Sequence, residues 1–360
     1  MNAVRYAWSA IFFVIVAAGI GLSINLQIKG NRMSSVNRMA VTFANTRPIC
    51  VGRFIIDVPI DAEVVMGPAR IPVETWRKPN DGGKLEEFVR NALAQSIEDR
   101  WRARDELTGR TSLLGKVRDG VGPNHKIVFG VGRSDGSSYN VQSFIRAGND
   151  LFIQEYEAFG EDNDYLKAVD EANEIARHLR FRKEEMPLES GFCIDGAFVT
   201  DTDSYMVEAA NLGIRLKAFE DVHLSIQTTK KERYIASDAI EPRLKSAENS
   251  ANERGLGHWY RRIRFLRRGQ KRIGNWDGFE VAAHIPRQMG SEETHEFAFL
   301  SHGEPKNPML PVLDVKLHTG VRDNEVGGTH PSITDDEALF LWDKILSSIR
   351  PRPIQTTTAK

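Results

Sequence analysis

Two rhythms of hydrophobic and polar residues recur along the chain: the two-residue period of half-buried strands and the three-to-four-residue period of amphipathic helices. The helical period is clearest at Leu85, Phe88, Val89, Ala92, Leu93, Ile97 and Trp101, which form one apolar stripe. It returns at Tyr165, Leu166, Val169, Ala172, Ile175, Ala176 and Leu179, where Asp162 and Asp164 complement the helix dipole. The best-defined helix closes the chain. Thr334 and Glu337 write a capping box, Leu339, Trp342, Ile345, Leu346 and Ile349 make its stripe, and Pro351 stops it. A more polar helix is expected from Pro242 to Gly255. Alternation predicts strands at residues 62–66, 126–131, 140–147 and 151–157, the last two joined as a hairpin across Gly148-Asn149-Asp150. Further strands are expected at 214–218, 222–227, 278–285, 296–301 and 312–319.

Two short β-branched and aromatic runs organise this pattern. Ile49-Cys50-Val51-Gly52-Arg53-Phe54-Ile55-Ile56-Asp57-Val58-Pro59 has a fainter copy in Gly191-Phe192-Cys193-Ile194-Asp195-Gly196-Ala197-Phe198-Val199. Each reads as a strand, each holds one of the two cysteines, and each opens a block that ends in a strong amphipathic helix. Strands segregated from helices argue for α+β architecture with antiparallel sheets. The expected fold is therefore two tandem, similar α+β domains, each with its own antiparallel sheet and packed helices. The boundaries read as 1–28 for an N-terminal membrane or signal helix, 29–46 for a linker, 47–184 and 188–350 for the two domains, and 351–360 for a tail.

The N-terminal segment changes the picture of where the chain resides. Arg5 is followed by an uncharged run from Tyr6 to Ile28, and roughly 20 apolar residues suffice to cross a bilayer. The run also fits a secretory signal, although no small-x-small cleavage site is convincing. A membrane anchor over residues 6–28 with the bulk of the chain exported is the expectation. Lys29, Arg32 and Arg38 outnumber Arg5 and favour the opposite orientation, but long domains translocate largely regardless of charge. In an exported chain Cys50 and Cys193 can pair as one bridge. They stand at equivalent places in the two units, and such places usually lie farther apart than a disulfide allows. Two separate buried thiols are the favoured reading and the bridge its alternative.

Charge adds little globally: 48 Lys and Arg against 49 Asp and Glu give a net charge of -1, which makes no case for a nucleic-acid partner. Gly132-Arg133-Ser134-Asp135-Gly136 matches the nucleophile-elbow pattern, but that pattern needs a strand-to-helix turn, and here a strand pattern follows. A hairpin tip is the plainer reading. His295-Glu296 opens like a zinc-protease helix, yet the second histidine position is Phe299, and the other histidines are scattered without ligand spacing. Glu86-Glu87 and Asp335-Asp336-Glu337 lie at helix starts, where dipole and capping explain them. No catalytic group, metal site or cofactor is expected. One stretch stands out: from His258 to Arg272 the chain is strongly basic with interleaved aromatics, and no acid occurs from Arg254 to Trp276. It suits nucleic acid, anionic lipid or an acidic protein surface, and base rates favour a solvated strand pair with its arginines in water.

Cys50-Val51-Gly52-Arg53-Phe54 with Ile56-Asp57-Val58-Pro59, followed by Gly191-Phe192-Cys193-Ile194-Asp195-Gly196-Ala197-Phe198, resembles the signatures that open the two domains of type VI secretion lipase-immunity proteins. These are the cognate antitoxins of phospholipase effectors delivered into the periplasm of rival bacteria. The similarity spans roughly residues 47–350. It implies a periplasmic two-domain protein, held at the inner membrane through its N-terminal helix, that clasps a phospholipase effector, blocks its active site or lid and has no activity of its own. The matching motifs are core strands, so no contact residue carries over. Composition alone nominates Trp259, Arg261, Arg264 and Arg268 as part of the face that meets the effector. Two rivals are an envelope hydrolase using Ser134 and an envelope-anchored scaffold or ligand-binding module.

Overall fold

The run around Cys50 folds as a tight hairpin rather than a single strand. Thr46–Val51 pairs antiparallel with Phe54–Pro59, and Val51 faces Phe54 across a two-residue turn. Gly52 makes that turn at φ +57°, a conformation that costs glycine least. The run around Cys193 does the same: Gly191–Ile194 pairs with Ala197–Thr200 across Asp195-Gly196. The computed structural model describes residues 38–355, apart from 110, 133–134, 160–163, 184, 202–206 and 289. The membrane or signal helix expected at 1–28 lies outside these residues, and among them no helix is long and apolar enough to cross a membrane.

The expected α+β fold of two domains with separate sheets is corrected by the strand pairing. Strand dominates, and one antiparallel sheet of 13 strands passes through both halves of the chain. Its order is Arg264–Ile273, Trp276–Ile285, Thr294–Ser301, Val312–His318, Phe219–Thr229, Ala209–Leu216, Ala69–Arg70, Glu74–Lys78, Asp150–Phe159, Ser138–Ala147, His125–Val131 and Val117–Asp119, with Glu63–Met66 also paired to Ala209–Leu216. The join is made by segments too short to be noticed by periodicity. Leu212 to Arg215 pair with Met66 to Glu63, and Ala209 pairs with Arg70. Two separate sheets would each leave an open edge here; joining them satisfies the backbone N–H and C=O groups of both.

Helices cover both faces of this sheet. Leu85 and Val89 of the helix Leu85–Glu98 pack on Val128, Phe144 and Leu151, while Ala168 and Ala172 of Asp164–His178 pack on Phe129, Val141 and Tyr156. In the later half, Ile240 meets Val281 and Leu300 on one face, and Leu341, Trp342 and Ile345 of Asp335–Ser348 meet Phe297, Leu313 and Val315 on the other. The capping box is present: Thr334 Oγ1 accepts from the Glu337 backbone N–H, and Glu337 Oε2 accepts from the Thr334 N–H at 2.9 Å.

The first hairpin belongs physically to the later half. Phe54, Ile56 and Val58 are buried in the same cluster as Trp276, Trp342 and Leu346. Phe54 meets Trp276 edge-on at 4.9 Å between ring centroids. Phe54 and Ile55 also pair with Pro351 and Arg350, immediately beyond the closing helix. Even residues 38–42, read from sequence as part of a polar tether, form a short helix whose Met39 is fully buried, and Arg38 donates twice to the Glu337 carboxylate at 2.8 and 2.9 Å.

Candidate functional site

The basic stretch folds as a short helix, Gly257–Tyr260, followed by the edge strand Arg264–Ile273. Much of its charge is already matched inside the molecule. Arg267 grips Asp343 with two hydrogen bonds of 2.6 and 2.7 Å, Lys271 reaches Glu280 at 2.6 Å and Asp343 at 3.1 Å, and Arg272 pairs with Asp277. Hydrogen bonding to Asp343 holds the Arg267 guanidinium above its usual pKa. The four nominated residues fare differently. Trp259 is half-buried and donates its Nε1–H to the Pro286 carbonyl at 3.1 Å, and Arg264 donates to Asp335 at 2.8 Å. Arg261 is exposed, and Arg268 is exposed with its guanidinium 5.4 Å from the centre of the Phe265 ring. The charge of Arg264 is thus largely spoken for, and the register turns Arg264 toward the closing helix and Arg268 toward the opposite face of the sheet.

Cys50 and Cys193, read as separate thiols, are joined by a disulfide with Cα atoms 5.9 Å apart. Their hairpins do not sit at corresponding, distant places in two domains; they touch. Gly52 and Cys193 exchange backbone hydrogen bonds of 2.9 and 2.8 Å, and a side chain at Gly52 would crowd the Phe192 ring and the Thr228 hydroxyl. Beside the bridge Arg53 is buried and bonded to two carboxylates, Glu208 at 2.7 Å and Asp201 at 2.7 and 2.9 Å. Burial opposes its charge, but these acceptors more than offset that and raise its pKa. A second cross-link follows close by, where Arg77 joins Asp150 at 2.7 Å to Asp195 of the second hairpin turn at 2.9 Å.

The expected absence of a hydrolase elbow can be followed on either side of Ser134, which itself lies outside the described residues. The strand His125–Val131 enters, the strand Ser138–Ala147 leaves, and Val131 pairs with Tyr139, so the connection is a hairpin and not a strand-to-helix turn. Histidine chemistry, by contrast, converges where sequence spacing showed none. His284 and His295 are directly opposite partners on neighbouring strands, and the first residue of the closing helix, Asp335, reaches both. Asp335 Oδ1 lies 2.7 Å from His284 Nδ1 and 2.9 Å from His295 Nε2. Burial would raise the Asp335 carboxyl, but contacts with His284, His295 and Arg264 outweigh it and hold its pKa at about 2. The signal that would have found this trio is strand register: a histidine on each arm of a hairpin, placed opposite by the turn length.

Thr319, His295 and Asp335 stand in the order of a nucleophile, base and acid, with Thr319 Oγ1 3.0 Å from His295 Nδ1. The geometry does not make it a nucleophile. Thr319 is fully buried and already accepts the His295 backbone N–H at 2.8 Å, so no substrate carbonyl can approach its oxygen. A concavity of about 1010 Å³ is an open groove with mixed charge from Asp61, Glu63, Arg215, Lys217 and Arg322. Such a surface suits recognition of another polar surface more than enclosure of a small molecule.

Residues 185–354 match the family described as Tle cognate immunity protein 4, C-terminal domain. No match was found among curated proteins by sequence. Solved structures with the same fold include the apo immunity protein TplEi of the type VI secretion system from Pseudomonas aeruginosa, 20% identical, covering 86% of this chain and 98% of that one at a TM-score of 0.66. A chain of the Tle4–Tli4 complex is 20% identical, with 87% of this chain and 99% of that chain covered at a TM-score of 0.68. TplEi bound to the "L" peptide is 21% identical, with 86% and 98% covered at 0.64. At these identities the structural likeness is one of fold. The family match itself extends over residues 185–354, and across the rest of the chain the likeness is one of fold.

Proposed function

We propose that the chain is a periplasmic immunity protein that binds and inhibits a cognate type VI secretion phospholipase effector and has no catalysis of its own. The observation that carries this reading is the match of residues 185–354 to the Tle cognate immunity protein 4 C-terminal domain, supported by the fold shared with a chain of the Tle4–Tli4 complex. The Cys50–Cys193 bridge agrees with an oxidising compartment such as the periplasm. Inhibition is steric and electrostatic: the chain covers the effector's active site or holds its lid unproductive, and partner specificity resides in complementary surfaces. We assign part of that contact to the sheet edge formed by the short helix and the strand that follows it, which carries Trp259, Arg261, Arg264 and Arg268 and where Arg261 and Arg268 present charge to an acidic partner.

The test mixes the purified chain with the phospholipase encoded beside its gene and follows hydrolysis of phospholipid vesicles. Turnover should fall to background at a small molar excess; an undiminished rate overturns the proposal. Arg268→Glu should weaken the complex at least about fivefold, or roughly 1 kcal/mol. Unchanged affinity in both Arg261→Glu and Arg268→Glu would move the contact face elsewhere while leaving inhibition intact.

A further inference from the structure

The cavity at the head of the closing helix, about 420 Å³ in volume, gathers His284, His295 and Asp335 on one wall, with Glu293 and His330 in the same lining. One ligating atom from each of the three lies within 4.8 Å of the others. What separates this trio from an ordinary buried hydrogen-bond cluster is the far side of each ring. His284 Nε2 faces the Glu293 carboxylate at 3.3 Å, and His295 Nδ1 faces the Thr319 hydroxyl at 3.0 Å. Those acceptors can hold a ring proton on the outer nitrogens once a metal ion displaces it from the inner ones. The inner nitrogens, His284 Nδ1 and His295 Nε2, converge on Asp335 Oδ1, where an entering metal ion would take the place of the protons shared with that oxygen. Imidazoles oriented by outer hydrogen-bond acceptors, beside a carboxylate, are the usual supporting shell of a metal site.

The cluster also recruits a positive charge. Arg264 Nη2 lies 2.8 Å from both Asp335 Oδ2 and His284 Nδ1, on a side chain that is 58% exposed and free to swing away. His295 is buried, and its Nε2 points at the same carboxylate oxygen as His284 Nδ1. Zinc bonds of about 2.0–2.1 Å to nitrogen and oxygen require tetrahedral ligand atoms roughly 3.3 Å apart. The present 2.7 and 2.9 Å spacings need to open by about half an ångström to meet that figure.

We propose that His284, His295 and Asp335 form a binding site for a divalent transition-metal ion of the zinc class, with Glu293 and Thr319 as outer-shell supports and Arg264 as the residue that leaves when metal enters. Two imidazoles and one carboxylate suit such an ion, and the open cavity leaves room for water as a fourth ligand. Bound there, the ion would fasten the Trp276–Ile285 and Thr294–Ser301 strands to the start of the closing helix. It would also release the Arg264 charge onto the exposed edge.

The experiment uses the untagged full chain and Zn²⁺ alone, followed by calorimetry, with Co²⁺ absorption as a reporter of nitrogen and oxygen ligation. One Zn²⁺ per chain is expected. His284→Ala and Asp335→Asn should each weaken binding by about a hundredfold or more. Arg264→Ala should tighten it severalfold, because a competing cation is gone, and its exposed position keeps the fold out of question. Absence of stoichiometric binding in both the native chain and Arg264→Ala overturns the site and leaves Arg264 as the cluster's permanent cation. Binding that survives His284→Ala or Asp335→Asn overturns it as well.

Discussion

His125 shows how position alone fixes a charge state. Its ring is buried in the strand His125–Val131, where Nδ1 accepts the Val121 backbone N–H at 3.0 Å and Nε2 therefore donates to Ser143 Oγ at 2.9 Å. Burial, reinforced by the positive charge of Arg177, lowers its pKa to about 4 from an ordinary 6.5. The folded value lies below the unfolded one, so the contribution of the neutral ring is complete above about pH 6.5 and is lost as pH falls toward 4. The gap corresponds to about 3 kcal/mol. The urea midpoint should fall between pH 7 and 4.5, and NMR should find the His125 ring protonating near the lower end; protonation near 6.5 would contradict the assignment. None of this was legible in the sequence. A lone histidine beside Asn124 carries no mark of burial, and the opposition of His284 to His295 depends on register, which spacing along the chain does not encode.

Elements were far more legible than the contacts between them. The capping box of Thr334 and Glu337, the stripe of Leu85 and Val89, and the strands ending in Val131 and Ala147 lie where local period and capping chemistry put them. Both signature runs read as single strands because Gly52-Arg53 and Asp195-Gly196 are turns of only two residues, too short to interrupt an apolar run. Read that way, the runs leave the disulfide as the lesser alternative, since only hairpins folded back on themselves bring Gly52 against Cys193. The bridge closes a separation of 143 residues, for which loop-closure entropy sets a ceiling of about 5 kcal/mol; natural bridges commonly supply about 2–4 kcal/mol. Cys50→Ser with Cys193→Ser should lower the urea midpoint without lowering cooperativity, and dithiothreitol should do the same to the native chain. A midpoint insensitive to both would mean the bridge constrains nothing that the Arg53 ion pairs do not already hold.

At the scale of the whole molecule the chain is interlaced rather than sequentially divided. The fold class expected from sequence failed here because the joining strands, Glu63–Met66 and Ala69–Arg70, are four and two residues long and carry almost no periodic signal. The consequence is that residues 38–71 complete the core of the later half: Met39, Phe54, Ile56, Val58 and Ile71 are buried in the cluster built around Trp276, Trp342 and Leu346. Losing the burial of Phe54, Ile56 and Val58 alone would remove about 2 kcal/mol each, roughly 6 kcal/mol together. That is comparable with the whole stability of an ordinary domain, about 5–15 kcal/mol. A fragment of residues 185–360, which contains the entire matched family region, should therefore show no cooperative unfolding on its own. Adding a peptide of residues 38–71 should restore a sigmoidal transition and near-ultraviolet signal from Trp276 and Trp342, because the hairpin refills the cluster and again pairs Phe54 with Pro351. A fragment that unfolds cooperatively without the peptide would show that the later half is autonomous and that the N-terminal strands merely decorate it. Rescue by the peptide would instead mean that any effector surface on the later half exists only when the beginning of the chain has been threaded through it.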